Sequence, residues 1–221
     1  MNKLILGFCP IGNGDSIEPF DEVFDIKQDV SKSLANVDAV IFWGGTDIHP
    51  SLYNEPRSRR SQAYDKPSQR DDFEWKVMKY CKLNDIPMIG VCRGAQMLCA
   101  FAGGRLVQHA TGHNSGGHNM TTKNGELIMT TSAHHQMMYP WDIEHEVLAW
   151  SSHNLSGTYL NGLDQEIDED KMPCEPEVVW FPTVRGLAIQ GHPEWVHRES
   201  DFAVYCNELV REYVLETVTA K

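Results

Sequence analysis

No run of 18 or more apolar residues occurs in the 221-residue chain, so nothing in it is fit to cross a bilayer as a helix. The opening MNKLILGFCP has only a short apolar stretch, less than a secretory signal core needs. Positive charge is also scarce. The 19 Lys and Arg are outnumbered by 31 Asp and Glu, for a formal net charge of −12. That balance disfavours nucleic acid as a partner, because phosphate binding wants a basic surface. The six cysteines show no C-x-x-C spacing, and Cys81, Cys99 and Cys206 sit in apolar runs. Such usage fits reduced thiols in a reducing compartment, the cytoplasm, better than a disulfide framework. No internal repeat or composition shift marks a boundary. Hydrophobic content of 41% and charged content of 23% then describe one globular domain over residues 1–221.

Short apolar runs alternate with helical patterns. Leu4-Ile5-Leu6 reads as a strand stopped at Gly7, and Phe20, Val23, Phe24, Val30 and Leu34 make a loose helical stripe over residues 19–36. Ala39 to Trp43 is a second strand, cut off by Gly44-Gly45. From Arg70 to Leu83 the residues Phe73, Val77, Tyr80 and Cys81 repeat at helical spacing, with Asp71 and Asp72 well placed in the first turn. Pro87 to Val91 is a third strand, running through Cys92-Arg93-Gly94 into a helix from Ala95 to Ala102 that ends at Gly103-Gly104. The second half reads mainly as strands, at 127–130, 147–150, 178–181 and 187–190. A last helix runs from about His197 to Val218, its apolar face (Phe202, Tyr205, Cys206, Leu209, Val210, Tyr213) suited to core or to an interface between copies. The alternation predicts an α/β fold: a mostly parallel central sheet with helices on both faces.

Three segments are too polar for core. Residues 53–70 carry five basic residues, residues 108–126 are rich in Gly, His, Asn and Thr, and residues 161–177 are acidic. Loops this long tend to be functional lids or mobile segments. The acidic one lacks the glycine and glutamate spacing of a calcium loop and reads as solvated.

The strongest chemical signal is Ile89-Gly90-Val91-Cys92-Arg93-Gly94-Ala95-Gln96. A buried strand ends in Gly-x-Cys-x-Gly and a helix begins at once, the cysteine counterpart of the nucleophile elbow. The glycines are needed because a side chain there would strike the neighbouring strand or helix. A thiol at a helix N-terminus feels the positive end of the macrodipole, which favours thiolate, and the Arg93 N–H can donate to an oxyanion. Cys99, later in the same helix, has none of these features and reads as structural.

A thiolate needs a proton partner. Gly191-His192-Pro193-Glu194, at the end of a late strand, supplies one. His192 could take the thiol proton and return it to a leaving amine, while Glu194 orients the imidazole. With Pro193 between them in extended geometry, both side chains would project to one side.

Together GVCRGAQ and GHPE resemble the class I glutamine amidotransferases, whose domain is flavodoxin-like. Within that group, Phe42-Trp43-Gly44-Gly45-Thr46-Asp47-Ile48-His49-Pro50-Ser51-Leu52-Tyr53 resembles the γ-glutamyl hydrolase branch, peptidase C26-like and including the γ-glutamyl-GABA hydrolases. The likeness runs from Leu4 to about Tyr205. It implies that Cys92, His192 and Glu194 form the catalytic triad and that the Gly45 N–H is the second oxyanion donor. Independently, a Gly-Gly after a strand permits close backbone approach to a substrate. Ser132-Ala133-His134-His135-Gln136 resembles the family segment that lines the glutamyl pocket, and Gln96 matches a substrate-contacting position. The resemblance implies neither cofactor nor metal. His109, His113 and His118 have spacings that invite zinc, but Gly112, Gly116 and Gly117 speak against a helix that would gather them. A flexible loop beside the site is the reading preferred here.

The expected substrate is a small γ-glutamyl amide hydrolysed through a thioester. Two alternatives stand beside it. One is a glutaminase subunit delivering ammonia to a separate synthetase partner; the other is an inert binding relative. The basic positions Arg57, Arg59, Arg60 and Arg70 and the acidic loop could form a partner-docking surface or a specificity lid.

Overall fold

A computed structural model describes residues 5–6, 22–23, 29–35, 37–114 and 116–215. The first pair of strands, β1 (Ile5–Leu6) and β2 (Glu22–Val23), lie parallel. Helix α1 is confined to Val30–Ser33, because Asp29 caps it by accepting from the Lys32 N–H at 3.3 Å. This corrects the reading of residues 19–36 as one helix; Phe20 and Phe24 lie outside the described residues, as does the stop at Gly7.

Then follow β3 (Val40–Phe42), α2 (Gln69–Leu83), β4 (Met88–Val91) and α3 (Arg93–Phe101). A reciprocal cap starts α2: the Asp71 N–H donates to Ser68 Oγ at 3.0 Å and the Ser68 N–H to Asp71 Oδ2 at 2.8 Å. Short strands β5 (Arg105–Val107) and β6 (His109–Ala110) lead into the hairpin of β7 (Gly116–Thr122) and β8 (Leu127–Ser132). The chain continues through β9 (Met137–Tyr139), β10 (Glu146–Ser151), β11 (Tyr159–Leu160), β12 (Pro176–Phe181) and β13 (Gly186–Ile189). Last comes α4 (Asp201–Leu209), extended by a wider-wound turn over Val210–Leu215. It starts at Asp201 rather than near His197, because Ser200 Oγ caps it by accepting from the Ala203 N–H; the expected stretch to Val218 runs past the described residues.

The fold is α/β. Its seven-stranded sheet has the order β3-β4-β13-β12-β10-β7-β8. The three strands β3, β4 and β13 are parallel, but the four pairings from β13 outward to β8 are antiparallel. The sheet is therefore mixed rather than mostly parallel, because the second half of the chain turns back as adjacent strands without crossover helices. Alternation along the strands divides the core between two faces. Val40, Phe42, Met88 and Ala188 join Val77, Met78, Cys81 and Leu98 from α2 and α3 on one side. Ile41, Ile89, Leu187 and Ile189 join Phe202, Tyr205, Cys206 and Leu209 of α4 on the other. The apolar face of α4 is therefore core.

The polar segment 108–126 is not a loop. Seven of its 19 residues are β7, hydrogen-bonded on both edges inside the main sheet. The acidic segment is corrected too: Glu175 and Glu177 are buried, not solvated. Its Asp164 receives the Ser58 hydroxyl at 2.5 Å and the Arg59 N–H at 3.1 Å, so the basic and acidic segments dock on each other. Arg70 belongs to α2, not to the basic loop.

Candidate active site

Cys92 stands between β4 and α3 with φ 52° and ψ −107°, a left-handed backbone that L side chains adopt only under constraint. Two close approaches impose it. A Cβ on Gly90 would run into the Gly94 carbonyl, and one on Gly94 into the Phe42 carbonyl of β3. The sulfur is thus lifted off the strand at the start of a nine-residue helix whose first N–H groups lack intrahelical partners. The other described cysteines sit differently. Burial pushes the Cys81 and Cys99 thiols up to about 12 and that of Cys174 to about 11.

His192 follows β13, the parallel neighbour of β4, with Ile189 in register with Val91. Adjacent parallel strands end on the same edge, which brings the imidazole to the sulfur. The ring and the Cys92 side chain meet at the same spot beside Gly44, and the ring Nδ1 lies 2.7 Å from Glu194 Oε1. Burial works against the charged imidazole, yet the bonds to Cys92 and Glu194 outweigh it and raise His192 to about 9. Pro193 to Trp195 form a 3-10 turn, not the extended segment expected, and this turn puts Glu194 beside the ring. Two further contacts went unread in the sequence. Thr131 Oγ1 accepts the His192 N–H at 2.6 Å, and the indole of Trp195 stacks on the imidazole.

The glycine loop after β3 is held from behind. Arg70 donates to the Trp43 carbonyl at 2.9 Å and the Gly44 carbonyl at 3.0 Å, and its Nε to Glu74 Oε1 at 2.8 Å. Glu74 also pairs with Arg93, whose side chain is buried away from Cys92 and reaches Asp71 at 2.5 Å. The side chain of Arg93 anchors α3 to α2, while its backbone N–H stays at the elbow.

Gly45, Asp47, Gln62, Cys92, Gln96 and Asn114, with residues 133–136, enclose a cavity of about 100 Å3. That is well under the roughly 300 Å3 at which drug-sized pockets begin, so it takes a small group. Gln96 Nε2 donates to the Gln136 carbonyl at 2.9 Å, and Gln136 Nε2 to Gln108 Oε1 at 2.7 Å. His135 Nε2 lies 3.2 Å from Asp47 Oδ1. His134 is buried and held well below the ordinary imidazole range by that burial. Being neutral, it donates Nδ1–H to the Gln136 carbonyl at 2.8 Å and keeps a lone pair on Nε2, which has no partner. Ser132 does not line the cavity; its hydroxyl donates to the His113 carbonyl at 2.7 Å behind the wall. Asp47, Gln62 and Asn114 are lining residues that sequence reasoning had not assigned.

A family model for peptidase C26 matches residues 23–156, which include Gly45, Cys92, Arg93, Gln96 and the 132–136 segment. The chain belongs to the peptidase C26 family, hydrolase-type proteins of the class I glutamine amidotransferase group. That match stops short of His192 and Glu194. Among curated relatives, a Lactococcus lactis protein named as glutamine amidotransferase-like, YvdE, is 36% identical over 101 residues, 46% of this chain and 40% of that one. The carbamoyl phosphate synthase small chain of Xanthomonas campestris is 38% identical over 123 residues, 56% of this chain and 28% of that one. This C26 chain thus spans less than half the length of either relative. Solved structures show the same fold at low identity. PurLQS from Thermotoga maritima superposes with TM-score 0.60 at 14% identity, covering 97% of this chain and 98% of that one. A glutamine amidotransferase of the same organism gives 0.51 at 12%, covering 98% and 90%. No helix among the described residues is long and apolar enough to cross a membrane.

Proposed function

We propose that this chain, acting as one domain, hydrolyses a γ-glutamyl amide through a glutamyl thioester on Cys92. The observation that carries the reading is the imidazole of His192, brought to the same spot beside Gly44 as the Cys92 side chain and held at 2.7 Å by Glu194. The thiolate attacks the side-chain carbonyl carbon, and the N–H groups of Gly45 and Arg93 hold the oxyanion. The C–N bond breaks as the His192 imidazolium gives its proton to the leaving amine. Water then adds to the thioester, its proton passing to His192, and the C–S bond breaks to release glutamate. Each oxyanion donor contributes on the order of 100-fold in rate.

The wall of amides and imidazoles, Gln96, His134, His135 and Gln136, suits the α-ammonium and α-carboxylate of a glutamyl group. The small cavity supports one amino-acid-sized moiety inside, with the amine portion outside. Ser132 supports this wall through His113 and positions it. The five described cysteines are all free, which fits a cytoplasmic protein.

One observation favours a second reading. The partial match to a carbamoyl phosphate synthase small chain fits a glutaminase subunit that passes ammonia to a synthetase. A single experiment separates the two: purified protein is incubated with glutamine and with a panel of γ-glutamyl amines, and glutamate is followed by mass spectrometry. Release from a γ-glutamyl amine by the protein alone supports the hydrolase. Glutamate formed from glutamine only when a second protein is added supports the subunit.

A further inference from the structure

Behind the wall that carries Asn114 and His134, β7 and β12 with the residues just before each gather two histidines and two glutamates away from water. His113, His118, Glu175 and Glu177 are all buried. Donor atoms of His113, His118 and Glu177 lie within 4.8 Å of one another. His118 Nε2 is 2.8 Å from Glu177 Oε1, and His113 Nδ1 is 4.0 Å from the same oxygen. Glu177 is 1% exposed, and its Oε2 has no hydrogen-bond partner among the described residues. A carboxylate oxygen stripped of water and left unpaired is costly, and its presence in a well-packed interior calls for a ligand.

Glu175 explains how His113 is turned. Its Oε1 accepts from the Ser156 N–H at 2.8 Å and the Tyr159 hydroxyl at 2.9 Å, and its Oε2 from the Leu155 N–H at 2.9 Å. His113 Nε2 stands 3.2 Å from that Oε2, off the angle of a good hydrogen bond but within strong attraction. A carboxylate so placed draws the imidazole proton to Nε2 and leaves the Nδ1 lone pair between Ser132 Oγ at 3.4 Å and Glu177 Oε1 at 4.0 Å. Histidines that ligate metals are oriented in this manner by a carboxylate on the far nitrogen.

We propose that His113 Nδ1, His118 Nε2 and Glu177 bind one divalent transition-metal ion of the zinc class, with Glu175 orienting His113 from behind. Two imidazoles and a carboxylate form a mixed nitrogen and oxygen donor set. Borderline ions take such a set, whereas calcium and magnesium prefer oxygen alone. Bonds of about 2.0–2.2 Å hold two donors no more than about 4.4 Å apart, so small side-chain rotations close the triangle. A divalent ion also balances the two buried carboxylates. The role is structural. Asn114, next in the chain, and His134, whose ring centroid is 4.7 Å from that of His113, both line the cavity, so the ion would hold its wall.

The test uses the full, untagged chain, stripped with chelator and dialysed against Zn2+ or Co2+, with bound metal measured by elemental analysis. One equivalent bound at micromolar or tighter affinity is expected, and the cobalt form should show tetrahedral visible bands without sulfur-to-cobalt charge transfer. Binding well below one equivalent would mean that the histidines and glutamates pair only with each other, and overturns the proposal. So does a charge-transfer band, which would put the metal on a thiolate such as Cys92 or Cys174. Glu177→Gln and His118→Ala should each lose on the order of 100-fold or more in affinity, while His153→Ala, at an exposed position, keeps the full equivalent. Should the two variants fail to fold, the parent chain decides: its thermal midpoint rises with saturating Zn2+, and an unchanged midpoint contradicts the site.

Discussion

The indole of Trp195 lies flat on the imidazole of His192, with ring centroids 3.6 Å apart and planes 2° from parallel. Trp195 is 60% exposed, so the pair sits at the lip of the site, with one aromatic face given to a cation. An exposed cation–π contact contributes about 0.5–1 kcal/mol. Trp195→Ala should therefore lower the His192 value by about half a pH unit. The alkaline limb of the pH profile for glutamate release should move down by that amount, with KM little changed. An unmoved limb would show that the stack does not support the imidazolium.

Stability should carry the same signature. His192 is raised from 6.5 to about 9 in the fold by Cys92 and Glu194, against the effect of burial. A group raised on folding contributes stability that is complete below its unfolded value and is lost as pH climbs through its folded value. The urea midpoint should be steady below about 6.5 and fall towards about 9, and Glu194→Gln should flatten that fall. Unfolding curves for both proteins across this range check it.

Arg70 spans the carbonyls of Trp43 and Gly44 and so sets the direction of the N–H groups that follow. Arg70→Ala should reduce kcat by about 10- to 100-fold, on the scale of a misdirected oxyanion donor, with a small effect on KM. Glu74 keeps Arg93 as a partner, so the fold should survive. Steady-state kinetics with circular dichroism separates loss of direction from loss of structure. Glu74→Gln is different in kind, because it strips a buried ion pair and should destabilise the chain by about 3–5 kcal/mol.

Gly94→Ala places a methyl group against the Phe42 carbonyl. Backbone does not yield as a side-chain tip does, so a loss of about 1–3 kcal/mol or more is expected from overpacking. Denaturant titration reads it directly. A variant as stable as the parent would show that β3 and the elbow are not in close contact.

Much of this arrangement is legible in the residues themselves. The strands at β3, β4, β12 and β13 announce themselves as continuous apolar runs because both faces are covered, and the elbow is marked by two glycines that tolerate no side chain. The 108–126 segment misleads for a physical reason. Strand β7 does alternate, but its inward positions are His118, Met120 and Thr122, so the hydrophobic period is mostly hidden by polar residues. Those residues are accommodated by partners far along the chain; His118 meets Glu177, 59 residues away, which no local spacing reveals. For the same reason the three neighbouring histidines part company. His113 and His118 face the glutamates, while the ring of His109 lies 5.6 Å from that of His135. The turn that seats Glu194 is likewise a tertiary result, since Pro193 permits either an extended or a turned backbone.

The central claim is that one sulfur forms the bond to the glutamyl carbon. It is tested most directly by Cys92→Ala, incubated with γ-glutamyl-p-nitroanilide and with glutamine while glutamate is followed. No release above the uncatalysed background is the predicted result, with the fold confirmed intact by circular dichroism. Turnover by the alanine variant at the parental rate would contradict the thioester route.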